Sequence, residues 1–189
     1  FMAGTGGRTE LAPAVDESGL ADHERAEAPV GTDGAVSGKA EMIETLKEVL
    51  RNELSAINQF FVHARMLEAW GLGKLSAIEY EESRDDHDHA KLLIDRILLL
   101  GGTPDLTSIG EMRIGHDVKA VLEGDLALET RSRARLLEAI DVAEHAFDYV
   151  SRDILRKILD DEQRHADKLR LELTLFAELG SQSYLQSQL

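Results

Sequence analysis

Asp85-Asp86-His87-Asp88-His89-Ala90 and Asp161-Glu162-Gln163-Arg164-His165-Ala166 are one phrase written twice. Each copy sets a carboxylate three residues ahead of a histidine: Asp86 with His89, and Glu162 with His165. Residues three apart share a helix face, so each pair can serve one centre. A glutamate precedes each pair at the same distance. Glu53 lies 33 residues before Asp86, and Glu129 lies 33 residues before Glu162. The chain therefore reads as two equivalent helical hairpins, each offering two carboxylates and one imidazole.

The surrounding sequence supplies the helices. Apolar residues recur at spacings of three and four, which marks the inner stripe of an amphipathic helix. Helix A is expected over about 40–70, with Leu46, Val49, Leu50, Glu53, Ile57, Phe60, Ala64 and Leu67 inward. Helix B is expected over about 75–100, with Ile78, Glu82, Asp86, His89, Leu93, Ile97 and Leu100. Helix C is expected over about 118–146, with Leu122, Asp125, Glu129, Arg133, Leu136 and Ile140. Helix D is expected over about 150–179, with Leu155, Ile158, Glu162, His165, Leu169, Leu173 and Phe176. A short extra turn is expected over 184–189. Gly71-Leu72-Gly73 and the stretch after Ala146 leave room only for antiparallel hairpins. The loop Gly101–His116 is longer. Extended, it reaches about 50 Å at roughly 3.3 Å per residue, against about 42 Å for a helix of some 28 residues. It can cross the whole bundle and make helices B and C parallel. The predicted fold is all-α: a four-helix bundle with one long crossover and a short C-terminal helix.

Composition narrows the chemistry. Among 189 residues there is no cysteine, so disulfides and thiolate metal sites are excluded. Thirty-six acidic residues against twenty-one basic ones give a formal charge of −15. Such a surface disfavours nucleic acid and attracts cations. No apolar run approaches the roughly 20 residues of a membrane span, and no secretory leader is visible, so a cytoplasmic location is expected. Residues 1–39 lack helical periodicity and read as a disordered acidic tail; residues 40–189 form the domain.

Four carboxylates buried without compensation would protonate or demand cations. Two divalent metals balance four negative charges when both imidazoles are neutral. The expected metal ligands are Glu53, Asp86, His89, Glu129, Glu162 and His165. Carboxylates with two imidazoles favour iron or manganese over zinc or magnesium, and paired metals suit two-electron chemistry with oxygen or peroxide. A polar face turned to solvent is the competing reading.

Further strings carry a family resemblance: Asn52-Glu53-Leu54-Ser55-Ala56-Ile57-Asn58-Gln59, Gly101-Gly102-Thr103-Pro104, Asp125-Leu126-Ala127-Leu128-Glu129 and Tyr184-Leu185-Gln186-Ser187-Gln188-Leu189. Over about 43–189 the chain resembles a bacterioferritin, of the ferritin superfamily. The resemblance implies a hollow shell of twenty-four subunits. Each would oxidise Fe2+ with oxygen or peroxide at an intrasubunit two-iron site, and ferric mineral would be stored inside. It implies Glu53 and Glu129 as terminal ligands, Asp86 and Glu162 as bridging ligands, and one imidazole per iron. Asp85 falls where the family has an inner-surface acid. Three positions depart from the pattern. Asp86 replaces a glutamate and reaches roughly 1.3 Å less far. His87 replaces the methionine that ligates haem b, so it is an axial-ligand candidate; a dimer-interface histidine and an extra metal ligand are the other readings. Phe60 replaces a tyrosine, leaving Tyr149 and Trp70 as phenolic or indole alternatives, or as packing residues. His63, His116 and His145 are read as structural. The rival function is a structural or electron-transfer subunit of a mixed shell, beside a second ferritin subunit type. A rubrerythrin-like oxidase lacks its cysteines here, and a DNA-binding mini-ferritin takes its ligands from two subunits.

Overall fold

The computed structural model describes residues 32–189. The expected tail lies outside them, except for 32–39. Those residues are helical: α1 spans Thr32–Ala69, so it begins ahead of the expected start at Ala40. It is followed by α2 (Gly73–Leu99), α3 (Val118–His145), α4 (Tyr149–Leu179) and α5 (Ser181–Ser187). Among the described residues there is no strand, and no helix is long and apolar enough to cross a membrane.

Local chemistry sets the ends. Asp117 caps α3 by accepting the Ala120 N–H at 2.8 Å, and Asp148 caps α4 by accepting the Ser151 N–H at 3.0 Å. Gly101, at φ 79°, closes α2; the Gly102 N–H then returns to Ile97 O at 2.9 Å. Phe147 takes the same left-handed position after α3, at φ 55°.

The helices run up, down, down, up. At one end Gly102 presses on Ile43, and Arg96 of α2 grips Asp148 at the start of α4 at 2.6 Å. Leu46, Leu50, Leu93, Ile97, Leu136 and Leu155 pack there. At the other end Leu67, Leu75, Val121, Leu122 and Leu169 pack around Tyr184 of α5. The connection from Leu100 to Asp117 travels the full length between them, so α2 and α3 are parallel as the loop length predicts.

A polar ladder on α1 holds that crossover. Ser55, Gln59 and His63 recur every four residues, and all three are buried. Ser55 Oγ accepts the Gly110 N–H at 2.7 Å, Gln59 Oε1 accepts the Arg113 N–H at 2.7 Å, and His63 Nε2 accepts the Gly115 N–H at 3.0 Å. Where the crossover is pressed against α1 these side chains replace water as partners for its backbone. His63 Nδ1–H donates in turn to both oxygens of Asp125 on α3, at 2.8 and 2.9 Å. The expected structural role of His63 thus has a carboxylate partner that spacing within one helix did not reveal.

One stripe residue is corrected. Arg133 is exposed, and Ser132 takes its interior place. The helical advance of 3.6 residues per turn favours a step of three after Glu129, then four to Leu136.

The crossover's tight passage yields a contrast between two glycines. A Cβ on Gly115 would sit 2.3 Å from Val121 N and 2.6 Å from Ala120 C, whereas one on Gly73 meets nothing within 4 Å. Gly115→Ala is expected to lower unfolding free energy by about 2 kcal/mol or more through overpacking against backbone. Gly73→Ala is expected to be neutral or to stabilise by up to about 1 kcal/mol. Denaturant unfolding of both variants checks this; equal effects would refute the close approach.

Candidate metal centre

Between the two apolar ends lies a polar layer to which all four long helices contribute. Glu53 comes from α1, Asp86 and His89 from α2, Glu129 from α3, Glu162 and His165 from α4, and all six are buried. Apolar residues one turn away on each helix must face the core, and that commits these side chains inward.

One atom from each of Glu53, Asp86, His89 and Glu162 lies within 4.8 Å of the others. His89 Nδ1 stands 3.3 Å from Glu53 Oε2, 3.3 Å from Glu162 Oε1 and 3.7 Å from Asp86 Oδ1. Glu129 and His165 form the other half: His165 Nδ1–H donates to Glu129 Oε1 at 2.8 Å. Glu129 in turn hydrogen-bonds Glu162, so Glu162 stands between the halves. All six sequence-predicted residues therefore share one layer.

The electrostatics reflect mutual crowding. Burial, then the charge of Glu162, pushes Glu53 up to about 7 against the pull of His89. Burial likewise lifts Asp86 and Glu129 well above the usual carboxylate range. Glu162 is the exception: burial would raise it, but hydrogen bonds from Glu129 and His89 hold it below its ordinary value. Burial would also lower His89, yet Asp86, Glu162 and Glu53 together keep it protonated. For His165 burial prevails over Glu82, Glu162 and Asp125, and the imidazole is pushed down.

Three atoms of the centre are buried without a hydrogen-bond partner: Asp86 Oδ2, Glu129 Oε2 and His165 Nε2. Buried polar atoms are rarely left so. Carboxylate oxygens and imidazole nitrogens suit divalent first-row cations, and a bound cation would take up excess negative charge. The cluster of Glu53, Asp86, His89 and Glu162 fits a metal ion.

A cavity of about 60 Å3 leads to this layer, lined by Glu82, Asp85, Asp86, His89, Asp161, Glu162, Arg164, His165 and Lys168. Asp85 is exposed at this mouth. Asp161 accepts the His89 Nε2–H at 3.1 Å and is itself gripped by Arg164 and Lys157. Lys168 Nζ donates to Glu82 at 2.8 Å. A larger apolar cavity of about 720 Å3, beside Trp70, Phe176 and Leu185, holds none of the six residues.

The departing positions fall as follows. His87 lies exposed on the outer side of α2, away from the centre. Phe60 is buried edge-on against the His165 ring, 4.9 Å between centroids. Tyr149 and Trp70 are partly exposed at opposite ends of the bundle. Sequence reasoning missed Glu79, which is buried on α2 one turn before Glu82. Its spacing to Glu82 and Asp86 was the available signal. It also missed Asp161 and Lys168, whose partners sit on another helix and leave no spacing to read.

Comparison with known proteins agrees with the geometry. The ferritin-like domain family matches residues 43–179. A bacterial ferritin of Synechocystis sp. is 44% identical over 155 residues, covering 82% of this chain and 99% of that relative. A bacterioferritin of Brucella melitensis is 39% identical over 151 residues, covering 80% and 94%. A bacterial ferritin of Pseudomonas aeruginosa is 41% identical over 155 residues, covering 82% and 100%. This chain belongs to the ferritin superfamily, among the bacterioferritins and bacterial ferritins.

Proposed function

We propose that the protein stores iron, and that its centre oxidises Fe2+ to Fe3+ before the product joins a ferric mineral inside a hollow shell of twenty-four copies. The observation that carries this reading is the buried layer of four carboxylates and two imidazoles. Glu53, Asp86, His89 and Glu162 can hold one Fe2+, and Glu129, Glu162 and His165 a second. Oxygen or peroxide takes one electron from each. The acidic mouth favours cation arrival, and Asp161 steadies the His89 imidazole from outside.

Asp86 supports a second reading. Its Oδ1 stands 3.7 Å from His89 Nδ1 and its other oxygen is unpartnered, so its hold is looser than that of Glu53. The chain would then be a weakly oxidising or electron-transferring subunit of a mixed shell. Exposed His87 is the haem-ligand candidate under either reading, and a Soret band in the purified protein would report it.

Purified alone, the chain is expected to form an intact shell. After anaerobic loading with two Fe2+ per subunit, air should produce a fast near-ultraviolet rise. Glu129→Ala is expected to slow that phase by at least about a hundredfold, since even outer supports of metal sites are worth 10–100-fold. A wild-type shell lacking the fast phase would leave the mixed-shell reading.

Metal-free stability should fall as pH rises from about 6.5 to 8. Glu53, with its folded value raised to about 7, gives a contribution fully present below its unfolded value and lost by the end of this window. His89, Asp86 and Glu129 are raised further and act with the same sign. His165 is lowered, so its contribution is lost only on acidification and is steady in this window. Divalent cations displace these protons. Added Co2+ should therefore raise the melting temperature more at pH 8 than at pH 6.5. Calorimetry at both pH values checks this, and an equal or opposite difference would count against the assignment.

A further inference from the structure

Glu79 is a buried carboxyl outside the metal centre. Glu79 sits on the inner side of α2, one turn before Glu82 and two turns before Asp86, and is 1% exposed. Its carboxyl donates a hydrogen bond to Asp125 on α3. Asp125 also accepts His63 Nδ1–H and Gln59 Nε2–H, each at 2.8 Å. Both donors are fixed from behind, His63 by the Gly115 N–H and Gln59 by the Arg113 N–H. Asp125 is thus held as an acceptor, and Glu79 must bring its own proton to meet it. Burial, followed by the charge of Asp125, keeps the Glu79 carboxyl well above its ordinary range.

One carboxyl oxygen, Oε2, has no hydrogen-bond partner. A cavity of about 90 Å3 is lined by both Glu79 and His165, with Leu122 and Leu169 among its apolar walls. A water needs roughly 10–15 Å3 of such space, so more than one fits. The charged and titratable groups facing Glu79 are Glu82 and Asp86 from its own helix, Asp125 from α3, and His63 of α1 behind Asp125. From α4 come His165, Lys168 and Glu172, and Glu172 accepts the Tyr184 hydroxyl of α5 at 2.6 Å. None is a cation paired directly with Glu79 among the described residues.

We infer that Glu79 is a proton donor for the oxidation step, passing its carboxyl proton through water in this cavity to the reduced oxidant at the centre. The inference rests on the ferroxidase reading. The step balances as 2 Fe2+ + O2 + 2 H+ → 2 Fe3+ + H2O2. Two electrons leave the two ferrous ions, and dioxygen accepts them with two protons. Glu79 supplies one proton and solvent the other. The centre gains two positive charges as iron is oxidised, while Glu79 becomes an anion beside it. Electron loss and proton loss therefore favour each other. Bulk water restores the proton afterwards.

Glu79→Gln in the full chain tests this, because the amide can still donate to Asp125. Anaerobic Co2+ titration should give two ions per subunit in wild type and variant alike. Stopped-flow oxidation of Fe2+ by oxygen should then slow by about a hundredfold, within the span of general acid effects. The wild-type rate should decline on the alkaline side, and E79Q should lack that decline. Glu79→Asp should recover part of the rate. Three results would overturn the inference: E79Q oxidising at the wild-type rate with the same pH profile, E79Q binding fewer Co2+ ions, or E79D as slow as E79Q with the wild-type profile kept. A wild-type protein without an oxygen-dependent phase would instead retire the ferroxidase reading itself.

Discussion

Burying four carboxylates at mid-height in a helical bundle is the constraint on which the remaining structure depends. An isolated buried carboxylate costs several kcal/mol, and neighbours of like charge add to that. The metal-free protein meets the cost by sharing protons. Glu129 and the protonated His89 both donate toward Glu162, which alone among the four is held below its ordinary value. This arrangement satisfies some atoms and strands others, notably Asp86 Oδ2 and Glu129 Oε2. A polar layer of this kind cannot be the source of stability. It is tolerated because apolar packing lies on both sides, around Leu50 and Leu93 at one end and Leu67 and Leu122 at the other.

The crossover completes that bargain. Two antiparallel hairpins could associate with either end matched. The connection from Leu100 to Asp117 selects the pairing in which α2 and α3 are parallel, and it brings Glu53 and Glu129 to the same height as the two carboxylate–histidine pairs. Its backbone N–H groups that turn toward α1 lose water there and need partners. Ser55, Gln59 and His63 supply them at one-turn intervals along α1. The last two rungs also hold Asp125, so the ladder that fixes the loop ends in the carboxylate that meets Glu79. Topology and the interior hydrogen-bond network are one structure seen from two sides.

Much of this was legible in the sequence because helical periodicity is strict. The repeated phrase around Asp86 and Glu162, with glutamates 33 residues upstream, named all six residues of the layer. Loop lengths named the topology. What stayed hidden depends on contacts between helices. His63 has no carboxylate at helical spacing, and only the fold brings Asp125 to it. Arg133 fits an idealised step of four from Glu129, but accumulated twist turns it outward and puts Ser132 inside. The start of α1 at Thr32 was missed because the residues before Ala40 show no apolar stripe, and a stripe is what identified the other helices.

The internal duplication also ends sooner than the spacing suggests. Asp161 and Asp85 occupy matching places in the two phrases. Asp161 accepts the outer nitrogen of His89 at 3.1 Å, while Asp85 is exposed at the mouth and the outer nitrogen of His165 has no partner. On that side Lys168 and Glu82 form a pair instead, with Glu82 Oε2 3.7 Å from His165 Nδ1. On the symmetry-related side the places of Glu82 and Lys168 fall at Ile158 and Leu92, which cannot form such a pair. One imidazole is thus protonated and held from both nitrogens, and the other is neutral and held from one. Twofold symmetry governs the atoms that face the centre, and it fails one residue outward, where the imidazoles are oriented. The two halves therefore present unequal positions to an arriving cation, although the sequence writes them as the same phrase.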